Sequence, residues 1–84
     1  MKRVRIYTTP FCGYCRAAKE LLLERDIPYE EIDVTFDKTK RAWLAKVTGQ
    51  TTVPQVFFGD ESIGGFQELS EIDRDEDLRA RVGL

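Results

Sequence analysis

The chain has 84 residues, 42% of them hydrophobic and 33% charged, with a formal net charge of -2. That length predicts a single domain over residues 1–84 with one modest core. The slight acidity argues against a general nucleic-acid binder, which needs surplus Lys and Arg to neutralise phosphates, and no apolar run approaches the length of a membrane span. The N-terminus is basic but lacks the apolar segment of a secretory signal, so a cytoplasmic protein with no membrane association is expected.

Residues 2–8 alternate Val4 and Ile6 with charged side chains, which predicts a first β-strand. The next stretch, Thr8 to Arg16, reads T-T-P-F-C-G-Y-C-R and holds the only two cysteines, Cys12 and Cys15. Residues 14–25 are rich in helix formers, with an apolar face of Ala18, Leu21 and Leu22. That helix should fade at Asp26, because Pro28 disfavours helical geometry at Ile27. Residues 29–34 alternate again as a second strand. Asp37 is placed to N-cap a helix through Thr48, with Trp43, Leu44 and Val47 for packing and Gly49 as its terminator. Residues 52–58 read as a third strand, with Pro54 near its start where a missing N–H is tolerable. A turn at Gly59-Asp60-Glu61 leads to a short fourth strand over residues 62–64, the two forming a hairpin. Gly64-Gly65 then breaks the chain before helical segments at residues 66–72 and 75–82. The acidic run from Glu68 to Asp77 reads as a solvated helical face. The order implies a parallel first pair joined by a right-handed crossover and an antiparallel closing pair. The expected architecture is therefore an α/β fold, a four-stranded mixed sheet flanked by helices.

The cysteines sit where a strand ends and a helix begins. A bond between residues so close would close a tiny loop and barely constrain the unfolded chain, so the pair reads as redox-active or metal-binding rather than as a scaffold. Cys12 falls at the helix start, where unpaired backbone N–H groups and the helix dipole stabilise negative charge. The thiolate is the nucleophile. Cys15, one turn on, faces the same side with less exposure, and Arg16 and Lys19 add positive potential. The chemistry this supports is thiol–disulfide exchange: Cys12 attacks, a mixed disulfide forms, and Cys15 or an external thiol resolves it. Two inert buried cysteines are the alternative. A structural zinc site takes four Cys or His ligands, and a chain with two cysteines and no histidine offers one only by sharing ligands in a dimer.

Three blocks carry a family resemblance: Tyr7-Thr8-Thr9-Pro10-Phe11-Cys12-Gly13-Tyr14-Cys15, then Thr52-Val53-Pro54-Gln55-Val56-Phe57, then Ile63-Gly64-Gly65-Phe66-Gln67-Glu68-Leu69. Their content and order resemble the signatures of the glutaredoxins, across nearly the whole chain. The resemblance implies a thioredoxin-like fold and reduction of protein disulfides and protein–glutathione mixed disulfides, with glutathione as co-substrate. It further implies a cis bond before Pro54, which would aim the Thr52-Val53 backbone at an extended substrate. Gly65 and the helix start at Phe66 would offer N–H groups to the γ-glutamyl carboxylate, with Glu68 as the acid near the ammonium. Gln67 stands where Ser or Asp is common. Arg41 matches a position that approaches the glycine carboxylate, and Tyr14 would flank the thiol groove. Trp43 is read as core, whereas Phe66 lies within a block.

Two positions depart from the pattern. Gly13 replaces a common proline, and some relatives with glycine there assemble a glutathione-ligated [2Fe-2S] cluster between two subunits, for which thiolates are suitable ligands. Thr9 replaces a common lysine and removes one positive charge near the site. The leading expectation is a monomeric glutathione-dependent oxidoreductase. An electron donor recycled by thioredoxin reductase and an iron–sulfur carrier dimer are the alternatives.

Overall fold

The computed structural model describes all 84 residues. In chain order they form β1 (Val4–Thr8), α1 (Gly13–Glu24), β2 (Glu30–Asp33), α2 (Lys38–Thr48), β3 (Gln55–Phe58), β4 (Glu61–Gly64), α3 (Phe66–Asp75) and α4 (Leu78–Arg81). The sheet order is β2-β1-β3-β4, with β1 and β2 parallel and the other two pairings antiparallel. This is the expected mixed sheet, and the fold is thioredoxin-like.

Strand alternation assigns the two faces. Val4, Ile6, Val56 and Phe58 meet Ala18 and Leu22 of α1, Leu69 of α3, and Leu78 and Val82 at the C-terminus in the larger core. Tyr7 and Phe57 point the other way and pack with Val34 and Leu44 under α2. Trp43 stacks on Phe57 with centroids 5.7 Å apart and tilts against Tyr7 at 5.8 Å. Its ring lies over this second layer from outside and is 40% exposed, so it is not the core residue expected, because it sits on the outer flank of α2. Val47 is exposed too, because Leu44 alone of α2 points squarely at the sheet.

The helix ends follow local chemistry. Asp37 caps α2 by accepting the Lys40 N–H at 2.9 Å, and Gly49 closes it in the left-handed region at φ 73°. The end of α1 is tighter than the Pro28 argument implies. Asp26 adopts φ 55°, its N–H reaches Leu23 O at 3.1 Å, and the Ile27 N–H reaches Leu22 O at 2.9 Å. Those two bonds are a Schellman closure, with Asp in the position glycine usually takes.

β1, α1, β2 and β4 differ from expectation by one or two residues at an end, and three further boundaries differ for a visible reason. β3 begins at Gln55 rather than residue 52, since Pro54 has no N–H to give and follows a cis Val53–Pro54 bond. α3 continues past residue 72 to Asp75, where Asp73 binds Arg25 of α1 through two bonds of 2.7 and 2.8 Å. The last helix is shorter, Leu78–Arg81, because Asp77 caps it by accepting the Arg79 and Ala80 N–H groups.

Candidate active site

Both cysteines lie at the β1–α1 junction, and the fold gives them different surroundings. Cys12 is the N-cap of α1, and its Sγ accepts the Cys15 N–H at 3.2 Å. A sulfur in this position has a backbone donor aimed at it when it carries negative charge. Its thiol also faces the Val53 carbonyl, 3.8 Å away, so the Val53–Pro54 turn is the opposite wall. Cys12 is partly exposed, whereas Cys15 is only 2% exposed. Burial first, then the hydrogen bond with Cys12, pushes the Cys15 thiol up from 9.0 to about 12, against smaller opposing effects of the Thr9 backbone and Lys19. Cys12 is thus the accessible sulfur, and Cys15 stays protonated until called on. Both thiols are free.

A groove of about 370 Å³ runs beside Cys12's wall. Tyr14, Thr52, Val53, Pro54, Gly65, Phe66, Gln67 and Glu68 line it. Tyr14 and Phe66 stack across it, with centroids 6.3 Å apart and planes inclined by 26°. Of the residues singled out by resemblance, only Arg41 lies elsewhere: it borders an adjoining hollow that shares Gln50, Thr52 and Val53 with the groove.

The start of α3 is arranged differently from the simplest reading. Gly65 caps the helix, and its N–H is already taken by Glu68 Oε1 at 2.7 Å. The donors left at this end are therefore the Phe66, Gln67 and Glu68 N–H groups. Gly64 has to be glycine here. Its φ is 113°, and a Cβ would sit 2.5 Å from Glu68 Oε1.

Two residues at this wall escaped the sequence reading. Gln50 lines the groove, and buried Gln55 ties its loop down, its Nε2 donating to Gln50 Oε1 and Thr52 O, both at 3.0 Å. The Gln55 Oε1 has no partner. Only their position on either side of T-T-V-P marks them, and polar residues flanking a strand entry are too common to single out.

A second, more polar hollow of about 240 Å³ opens on the other side of the cysteines. Phe11, Cys12, Cys15, Lys19 and Glu31 are among its walls. The buried Thr8 hydroxyl donates to Glu31 Oε2 at 2.8 Å, and Lys19 Nζ donates to the same oxygen at 3.0 Å. The Thr8 hydroxyl, with Lys19, holds the Glu31 carboxyl below its usual range. No cluster of three or more His, Cys, Asp or Glu side chains suits a metal ion, and no helix is long and apolar enough to cross a membrane.

Residues 4–63 match the Glutaredoxin family model. The chain is 40% identical over 74 residues to a glutaredoxin of Pseudomonas aeruginosa, covering 88% of each. It is 38% identical over all 84 residues to Glutaredoxin 3 of Escherichia coli K12, covering 94% of that protein. Among solved structures, a glutaredoxin from Brucella melitensis superposes with a TM-score of 0.87 at 34% identity, over 98% of this chain and 89% of that one. A buckwheat glutaredoxin–glutathione complex superposes with a TM-score of 0.82 at 32% identity, over 88% and 70%. The family match spans both cysteines and the Val53–Pro54 wall, and the full-length relative extends it through the start of α3. The chain belongs to the glutaredoxin family, and its cysteine pair makes it a thiol–disulfide oxidoreductase.

Proposed function

We propose that this oxidoreductase reduces protein–glutathione mixed disulfides and protein disulfides, with glutathione as the electron donor. The observation that carries this reading is the groove meeting Cys12 at the Val53 carbonyl, 3.8 Å from Sγ. It offers an aromatic pair, an extended Thr52–Val53 edge and three free helix N–H groups, the chemistry a small peptide with a terminal carboxylate requires. The glutathione complex of the buckwheat relative supports the same assignment. Glu68, held against the Gly65 N–H, presents its other oxygen for the glutathione ammonium, and Arg41 at the adjoining hollow serves the far carboxylate.

In the cycle, the Cys12 thiolate attacks the glutathionyl sulfur of the substrate. A Cys12–glutathione disulfide forms, and the protein thiolate leaves with the bonding electrons and takes a proton from water. A second glutathione thiolate attacks the glutathionyl sulfur, releasing glutathione disulfide and the Cys12 thiolate. With a protein disulfide, Cys12 attacks one sulfur to form a mixed disulfide and frees the other as a thiolate. Cys15 then passes its proton to the departing substrate sulfur and bonds Cys12. Two glutathiones reduce the Cys12–Cys15 disulfide in turn, leaving as glutathione disulfide. One chain supplies both cysteines, so the protein acts as a monomer, and a cytoplasm that keeps glutathione reduced suits the cycle.

The test is turnover of a glutathionylated substrate with glutathione, NADPH and glutathione reductase. Wild type turns over, Cys12→Ser does not, and Cys15→Ser retains deglutathionylation while losing reduction of protein disulfides. No turnover by folded wild type, or equal turnover when thioredoxin reductase replaces glutathione and its reductase, overturns the reading.

A further inference from the structure

Two phenylalanines spend their side chains on solvent at one end of the molecule. Phe11 is fully exposed and Phe36 is 96% exposed. β1 and β2 run parallel with Thr8 opposite Asp33, so the loops carrying Phe11 and Phe36 leave the sheet at the same end, three residues past that pair. Cys12 follows Phe11 directly. Phe11 also holds φ at 60°, a region bulky side chains rarely adopt. A large apolar side chain in a strained backbone, turned outward beside a reactive sulfur, has no packing role to explain it; such strain concentrates at functional sites.

We propose that Phe11 and Phe36 form the docking surface for the protein half of the disulfide substrate and select cysteines flanked by apolar residues. The inference rests on the reading of the function above. The occupant follows from the chemistry at Cys12: a mixed disulfide has a glutathione side and a protein side, and the groove past Val53 takes the first. Phe11 does not line that groove. It lines the hollow on the opposite side of Cys12, where the protein chain lies once glutathione is seated. Arg16 and Lys38 stand near the two rings in sequence, are exposed, and have no acidic partner. Asp33, also without an ion-pair partner, lines the same hollow and offsets Arg16, so the rings set the selection and the matching chain carries apolar side chains beside its cysteine. Covering Phe rings that are otherwise wet is a favourable term that a small disulfide cannot collect.

Three probes test this. Two are glutathionylated peptides, Glu-Leu-Cys-Leu-Glu and Glu-Ser-Cys-Ser-Glu, and the third is the mixed disulfide of glutathione and 2-mercaptoethanol. Wild type should prefer the Leu peptide over the Ser peptide by about tenfold in kcat/KM, the order expected for burying one large apolar side chain. The double variant Phe11→Asn, Phe36→Ser should lose that preference and keep wild-type turnover of the small disulfide. Both side chains are exposed, so the variant forfeits no core packing, and Asn suits the left-handed backbone at residue 11. Equal rates for the two peptides, or a preference that survives in the double variant, overturns the docking surface alone. No turnover of the small disulfide by wild type overturns it together with the glutathione reading.

Discussion

Cys12 and Cys15 are one helical turn apart, yet one is open to substrate and the other is sealed under it. The consequence appears in pH. Cys15 is an acid whose ionisation is raised on folding from 9.0 to about 12, chiefly by burial. The folded chain then holds that proton more tightly than the unfolded chain. Stability from this source is complete below pH 9 and is lost as pH rises toward 12. Urea unfolding of the reduced protein should show an alkaline decline that is shallower in Cys15→Ala than in wild type, and identical slopes would refute the assignment. Gly13 is the second informative residue. It opens α1 at the first helical position, nothing lies within 4 Å of where its Cβ would be, and Cys12 before it has φ -110° and ψ 112°. That is the extended geometry a following proline demands, and proline is well tolerated at a first helical position. Gly13→Pro should therefore stabilise the fold by roughly 0.4–1 kcal/mol by restricting the unfolded chain, readable as a higher urea midpoint at unchanged m.

At the scale of elements, period and capping chemistry were sufficient for existence and type. Val4 and Ile6, the Ala18–Leu22 face, Asp37 and Gly49 each say locally what the fold also requires, and all four features stand in the structure. Boundaries were harder where a tertiary partner decides them. Nothing within residues 66–75 announces that Asp73 will meet Arg25 some 48 positions away, and that pairing accompanies the longer α3. The groove was legible in the same uneven way. T-V-P and G-G-F-Q-E mark its walls, but the clamp from Gln55 to Gln50 and Thr52 is made by side-chain amides with no periodic signal. The α3 start yields a prediction of its own. Gly64→Ala places a Cβ at φ 113° and 2.5 Å from Glu68 Oε1, so the Glu68–Gly65 bond has to break. The loss should be about 1–3 kcal/mol, with a raised KM for glutathionylated substrate. A Gly64→Ala enzyme with wild-type KM would separate that bond from substrate binding.

Across the whole molecule, the site is built from two halves that share one core. β1 and α1 hold Cys12, while α3 holds Gly65 to Glu68, and the halves meet through Leu22 and Leu69, both fully buried against the same face of the sheet. Leu69 follows Glu68 directly, so the residue that anchors α3 adjoins the residue that shapes its start. Leu69→Ala should cost about 2–5 kcal/mol from lost burial and an unfilled cavity, a large share of the roughly 5–15 kcal/mol that holds a typical domain folded. Its effect on function should be lopsided. Cys12 accepts one hydrogen bond from the Cys15 N–H within α1 and donates to the Val53 carbonyl, so neither bond involves a group of α3. Under conditions where the variant remains folded, alkylation of Cys12 by iodoacetamide should therefore proceed at the wild-type rate. The KM for a glutathionylated substrate should rise, because the Gly65–Glu68 edge of the groove is no longer pinned to the sheet. A matching fall in the alkylation rate would mean instead that the two halves are one cooperative unit, and that packing under α3 sets the reactivity of the cysteine as well as the shape of the groove beside it.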